Sequence, residues 1–340
     1  MRPPELAPAT PAATLECLTD PERIETLRDE WLALWRADPR ATPFQSPDWL
    51  LPWYSIFGAE HAARVFVQRE EERLVGVAAF ALERATGALR FAGCGVSDYL
   101  DATCAPEHAS AFAALLWRRL AREPAEWEWI ELDGLRGDSP LLAVARGGPS
   151  AISWIAVGEA CPTLALEVDG ASPGWRHKLA YDWRRLARTG LVAMETANAL
   201  TLPRLLATLF RLHTSRWLAL GDGGVLAEKC VRRFHELAAP ALLAHGILRL
   251  HCLAVEGVPV ACYYGFRHAA RAYYYLGGFD PAWQRHGVGN LVVDYAQRRA
   301  RDEGAAVFDF LRGREPYKYR WGAHDEQVWT ARVRTRAPAA

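Results

Sequence analysis

The segment Gln284-Arg285-His286-Gly287-Val288-Gly289 has the residue types and spacing to hold an anion. Glycines where a loop enters a helix let ligand oxygens approach the backbone closely. The first N–H groups of a helix have no partner inside it, and the helix dipole adds positive potential there. Arg285 and His286 add side-chain donors, and Asn290 could reach the same spot. A pyrophosphate is the natural guest. Two glycines at this spacing serve a tight turn equally well, so the surrounding elements decide between the readings.

Those elements are a strand before the loop and a helix after it. Tyr273–Leu276 is a strand-like aromatic run ending in Gly277-Gly278, and Asp280-Pro281 begins an irregular link. From Val288 the apolar residues Leu291, Val292, Tyr295, Ala296 and Ala300 recur at three- and four-residue spacing, the pattern of one helix face. Gly304 closes that helix, and Val307–Phe310 reads as the next strand. A dinucleotide-binding fold would need G-x-G-x-x-G after a first strand and an acidic residue about 20 positions on, and neither is present.

Around this segment the chain reads as two similar halves. The first runs as strand Thr14–Leu18, a helix capped by Asp20 with Pro21 in its first turn, helix Pro47–Phe57, three strands over 64–91, helix Glu107–Ala121 and strand Trp127–Leu132. The second runs as strand Leu191–Glu195, helices over 201–217 and 228–244, a hairpin over 247–266, then the strand, loop, helix and strand already described. Gln327–Val333 closes the chain, and Leu164–Val168 is a strand that could bridge the halves. The domain reading is a disordered Pro/Ala-rich leader over 1–13, a first unit over 14–160 and a second over 161–336. The helix expected over Ser172–Arg188 carries Arg176, Lys178, Arg184, Arg185 and Arg188 against Asp182. That patch suits a phosphorylated or acidic partner, and it equally suits a solvated helix face.

Composition removes several function classes. Hydrophobic residues make up 51% of 340, enough for a well-buried core. The formal net charge is zero, which argues against bulk nucleic-acid affinity. Seven cysteines without a C-x-x-C pair suggest reduced, mostly buried thiols in a cytoplasmic protein, and no metal site is expected. No apolar run approaches the roughly 20 residues needed to span a bilayer.

Several phrases resemble one branch of a known superfamily. They are Phe44-Gln45-Ser46-Pro47-Asp48-Trp49, Gly95-Val96-Ser97-Asp98-Tyr99, Leu212-His213-Thr214-Ser215-Arg216-Trp217, Leu276-Gly277-Gly278-Phe279-Asp280-Pro281 and Asp309–Lys318. With the Q-x-x-G-x-G loop they resemble the GNAT acyltransferases, in particular the CelD-like acetyltransferases of polysaccharide gene clusters. These are similar in turn to the Fem aminoacyl transferases. The resemblance implies an α/β fold of tandem GNAT-like units, each a mostly antiparallel mixed sheet flanked by helices. It implies an acyl-CoA donor, acetyl-CoA first, and an amine acceptor without saying which; a small molecule or a polysaccharide or lipid precursor is the expectation. An acyl carrier protein or a charged tRNA are the alternative donors, and a scaffold without chemistry is the alternative class.

On that reading Tyr275, Leu276 and Gly277 hold the pantetheine arm, and an N–H near Gly277 meets the oxyanion. The loop from Gln284 to Asn290, including His286 and Val288, holds the pyrophosphate. The acceptor must lose a proton, because an ammonium of pKa about 10 is no nucleophile. Glu315 is the first candidate base, with Asp309 and His213 behind it, and Tyr317 is the acid for the departing thiolate. Each has a plainer reading: Glu315 as an ion pair, Asp309 as a structural anchor, His213 as a core histidine. Asp98, Tyr99, Asp101, Arg216, Trp217, Lys318 and Trp321 are the candidate acceptor contacts, against packing or solvated-loop roles. Arg90-Phe91-Ala92-Gly93-Cys94-Gly95 also fits R-x-x-G-x-G, but no helix opens after it, so it reads as a degenerate cofactor loop.

Overall fold

The computed structural model describes residues 15–122, 126–147, 153–167 and 170–334. The expected leader over 1–13 lies outside them. The first unit runs β1 (Leu15–Leu18), α1 (Pro21–Glu25), α2 (Arg28–Ala37), α3 (Pro47–Phe57), β2 (His61–Glu70), β3 (Arg73–Glu83), β4 (Ala88–Phe91), β5 (Thr103–Cys104), α4 (Ala109–Arg122), β6 (Trp129–Arg136), α5 (Pro140–Gly147) and β7 (Ser153–Ala165). The second runs α6 (Pro173–Ala187), β8 (Val192–Thr196), α7 (Leu202–Leu218), α8 (Lys229–Ala244), β9 (Leu248–Val255), β10 (Val258–His268), β11 (Arg271–Phe279), α9 (Val288–Asp302), β12 (Val307–Asp309), α10 (Pro316–Tyr319) and β13 (His324–Arg334).

Local chemistry explains the element starts. The Asp20 carboxylate accepts from the Glu22 N–H and Pro21 fills the first position of α1. The Ser172 hydroxyl accepts from the Trp175 N–H, with Pro173 next to it, at the start of α6. Gly246, at φ +73°, follows the end of α8.

The strands form one sheet in the order β1-β2-β3-β4-β6-β13-β7-β12-β11-β10-β9-β8, with β5 paired to β3. Two neighbouring pairs are parallel, β4 with β6 and β11 with β12, and they occupy equivalent places in the two units. The rest are antiparallel. The fold class expected from the sequence is therefore the one observed.

The middle of the sheet departs from two self-contained domains. β7, the last strand of the first unit, pairs with β12 of the second, Thr163 opposite Asp309. β13, the last strand of the second unit, pairs with β6 of the first, Val328 opposite Arg136. The two exchanged strands also pair with each other. The boundary expected at 160/161 falls inside β7.

The core crosses between the units as well. Trp49 of α3 is fully buried and meets Phe234 of α8 edge-on at 4.6 Å and Phe266 of β10 at 5.4 Å. Asp48 accepts an ion pair from Arg28 at 3.2 Å and pairs with His245 at 2.5 Å. A second cluster packs α6 and α9 on the other face of β9, β10 and β11, with Val288 and Leu291 fully buried. Cys252 and Cys262 stand directly opposite on β9 and β10 and are joined as a disulfide. That corrects the expectation of reduced thiols throughout: spacing along the chain does not reveal cross-strand register. No helix among the described residues is long and apolar enough to cross a membrane.

Candidate functional site

The site begins where two parallel strands part. β12 pairs with β11 only at Arg271, Ala272 and Tyr273. Beyond that point the chain leaves β12 at Phe310, so β11 from Tyr274 to Phe279 has an open edge. Opposite β10, Tyr274 faces Gly265 and Leu276 faces Tyr264, so Tyr275 is an extra residue, a β-bulge. The bulge turns Tyr275 toward the first unit, where its hydroxyl donates to the Val96 carbonyl at 2.7 Å.

Two cavities open from this wedge. One, of about 330 Å³, runs along the loop into α9 and is lined by Gly277, Gln284, Arg285, Gly287, Gly289 and Asn290, with Lys178 of α6 at its side. The other, of about 250 Å³, is lined by His213 and Trp217 of α7, by Tyr275 and Leu276, by Glu315 and Lys318, and by Gly95–Asp98 of the first unit. Arg216, Tyr274, Gly277 and Tyr317 line both, so the two cavities meet at those four residues.

The loop has the backbone that its sequence suggested. A short 3₁₀ helix, Pro281–His286, precedes α9, and Asp280 caps it by accepting from the Ala282 N–H at 3.0 Å. Gly287 sits at φ +70°, and a Cβ there would lie 2.6 Å from an Asp182 carboxylate oxygen. Asp182 is buried and pairs with Lys178 at 2.7 Å. Arg185 donates to the Arg285 carbonyl. The basic helix α6 thus packs directly beside the loop, a neighbourhood that distance along the chain conceals.

Val288 keeps the backbone role expected of it, and His286 departs from expectation. The Val288 side chain is core, so only its backbone could serve a ligand. Slight burial, with Arg185 and Arg285 alongside, pushes His286 below the ordinary imidazole value. Its ring lies against Trp283 at 5.2 Å rather than in the cavity.

The proton-handling candidates separate by surroundings. Glu315 is half-exposed, lines the smaller cavity and pairs with Lys318 at 2.9 Å. Tyr317 reaches both cavities, and burial, reinforced by Tyr274 and Glu315, holds its phenol well above the usual value. It therefore keeps its proton. His213 lines the smaller cavity but burial, with Arg216 and Arg232, drops it to about 4. It is neutral at pH 7 and its Nδ1 is buried without a partner.

Asp309 does not join them. It is fully buried where β11 and β12 part, bonded to Tyr99 Oη at 2.9 Å, Arg271 at 2.8 Å and the Leu311 N–H at 2.8 Å. Burial raises its pKa, while Arg271 pulls it back. Those three contacts fix it at the wedge, and it lines neither cavity.

The acceptor candidates divide likewise. Asp98, Arg216, Trp217 and Lys318 line the smaller cavity. The Lys318 amine is committed, to the carbonyls of Leu311, Arg312 and Gly313 at 3.1, 2.6 and 3.0 Å. Tyr99 is spent on Asp309. Asp101 accepts from the Ala102 N–H at 2.8 Å and burial lifts it to about 7, but it lines neither cavity. Trp321 is core, edge-on to Trp175 at 5.3 Å. Arg312, inside the quoted phrase but not singled out from sequence, reaches across to Asp98 and donates to the Ser97 carbonyl at 2.9 Å. The first unit's glycine loop, with Gly93 and Gly95 at φ +91° and +86°, opens no helix and instead walls the second unit's cavity.

Residues 174–319 match the family described as an acetyltransferase (GNAT) domain. That span holds the whole loop, the wedge and both cavities' second-unit walls. Among solved structures the chain is similar to a crystal structure of FemX, at TM-score 0.62 and 11% identity, over 89% of this chain and 95% of that one. It is similar to L-PGS from Bacillus licheniformis, at TM-score 0.61 and 11% identity, over 94% of each chain. It is also similar to the C-terminal domain of a putative lysylphosphatidylglycerol synthetase from Agrobacterium fabrum, at TM-score 0.59 and 13% identity, over 91% of each. At these identities the likeness is one of fold. No curated protein matches the chain at significant sequence similarity.

Proposed function

We propose that the chain is an N-acyltransferase that moves an acyl group, acetyl first, from acyl-CoA to an amine. The observation that carries this is the meeting of the two cavities at Arg216, Tyr274, Gly277 and Tyr317, beside a glycine loop at a helix start. The larger cavity would take the pyrophosphate at the loop and the pantetheine arm along the open edge of β11. The thioester would then lie where the cavities meet, and the amine would enter from the smaller one.

Glu315 would take a proton from the ammonium, directly or through one water. The free amine attacks the thioester carbonyl, and an N–H of the open β11 edge meets the oxyanion. Collapse breaks the C–S bond. The departing thiolate would take the Tyr317 proton, and Tyr317 would regain one from the acylated nitrogen, giving the amide and free CoA thiol. The CelD-like branch, cytoplasmic location and a polysaccharide- or lipid-linked acceptor belong to this proposal.

A second reading is favoured by one observation, the basic helix α6 beside the loop. A charged tRNA or an acidic carrier protein would gain from Arg184, Arg185 and Arg188 there. Melting the purified protein with acetyl-CoA, with longer acyl-CoAs and with aminoacyl-tRNA separates the readings. A ligand at a hundredfold excess over its Kd adds about 2.7 kcal/mol to stability. A shift with acyl-CoA is expected. A shift with tRNA alone, falling steeply with salt, would replace CoA by tRNA as donor.

A further inference from the structure

The charged side chains around the two cavities can be accounted for one by one. Arg312 is held by Asp98 and the Ser97 carbonyl. Lys318 is held by three carbonyls and Glu315. Lys178 is held by Asp182. Arg285 stands exposed at the outer end, on the loop that would take pyrophosphate. Arg216 is the exception at the centre. It is half-buried in the last turn of α7, its guanidinium 5.3 Å from the Phe279 ring and 5.9 Å from the Trp217 ring. Among the described residues no carboxylate comes within 4.0 Å of it. The carboxylates lining either cavity, Asp98 and Glu315, already have partners.

A guanidinium in that position is incompletely compensated. Aromatic faces and the Tyr274 hydroxyl lower its cost only in part, and removal from water penalises a charge without a counter-ion. Its planar fork matches a carboxylate with two parallel hydrogen bonds. It also lines both cavities, so an anion bound there would lie near the place where the donor's thioester carbonyl and the acceptor's amine meet.

We propose that Arg216 is the recognition site for a carboxylate carried by one of the two substrates. This rests on the acyl-transfer reading. The carboxylate has two sources, the far end of a dicarboxylic acyl group or the α-carboxylate of an amino-acid-like acceptor. In both cases the uncharged analogue is rejected because it leaves Arg216 facing no anion.

The test compares matched probes by melting and by titration of the full-length protein, wild type, Arg216→Met and Arg216→Lys. The donor arm uses succinyl-CoA against butyryl-CoA. The acceptor arm uses L-alanine against L-alaninamide and L-lysine against L-lysinamide, with and without coenzyme A. In one arm the carboxylate probe should bind wild type at least about tenfold more tightly than its neutral partner, the range of a hydrogen bond to a charged group. The preference should vanish in Arg216→Met and survive in part in Arg216→Lys. No preference in either arm, or one that persists in Arg216→Met, overturns the proposal. An unliganded Arg216→Met that melts below wild type is bypassed by Arg216→Lys, which keeps the charge and stem. Failure of the acyl-CoA reading shows separately, as no response of wild type to coenzyme A or to either thioester. The acceptor arm without coenzyme A still tests Arg216 in that event.

Discussion

At the scale of single residues, Glu315 is the one acid that reaches the smaller cavity while staying open to solvent. Asp98 faces the same space but is fixed to Arg312, and His213 is held neutral with a conjugate acid too strong to keep an ammonium's proton. Replacing Glu315 by Gln keeps size and hydrogen bonding and removes the proposed base. Turnover should fall by about 10²- to 10⁴-fold, with acyl-CoA affinity unchanged. Initial rates and a CoA titration check both halves of the statement; wild-type turnover in Glu315→Gln would remove it from the chemistry. Which acids mattered was only partly legible in the sequence. The glycines and Arg285 of the loop are local signals and they line one cavity. Asp309, Tyr99 and Trp321 do not, because what consumes them is distant along the chain: Asp309 meets Arg271 and Tyr99, and Trp321 meets Trp175. An acid inside an apolar strand reads as functional until its partner is known.

At the scale of elements, the loop–helix join from Gly287 to Gly289 was readable, because a three- and four-residue apolar stripe beginning at Val288 fixes where α9 starts. The parting of β11 from β12 and the bulge at Tyr275 were not, because register between strands leaves no mark in either strand alone. The join makes a sharp prediction. Gly287 is left-handed at φ +70° with Asp182 2.6 Å from where a Cβ would stand. Gly304, at the other end of the same helix, is equally left-handed at φ +83° but has open space around it. Ala at either position should cost about 1 kcal/mol of stability from backbone strain. Only Gly287→Ala should also displace the loop from Asp182 and weaken acyl-CoA binding, by about tenfold or more for the loss of one charge-assisted contact. Equal CoA affinity in the two variants would detach the loop from the donor site.

At the scale of the whole molecule, the repeat of element order suggested two domains in series, and the sheet shows why that picture is incomplete. Each unit gives its last strand to the middle of the sheet, β7 to the flank of β12 and β13 to the flank of β6. The smaller cavity is a product of the same association. Its walls come from Gly95–Asp98 of one unit and from α7, β11 and the α10 turn of the other, joined by Tyr275 to Val96 and by Arg312 to Asp98. A chain cut between β7 and α6 would leave each fragment without its central partner strand. The edge of β6 that faces β13 and the short edge of β12 that faces β7 would be left unpaired, and the Trp49 face would lose Phe234 and Phe266. Neither fragment alone should then show a cooperative thermal transition, whereas the two co-expressed should associate and recover acyl-CoA binding. Fluorescence melts of each fragment and of the purified pair measure this. A C-terminal fragment that melts cooperatively alone and binds acyl-CoA like the full chain would mean that the exchanged strands decorate a self-sufficient domain. The expected dependence follows from where the site lies: a cavity with one wall from each unit exists only when the units share a sheet.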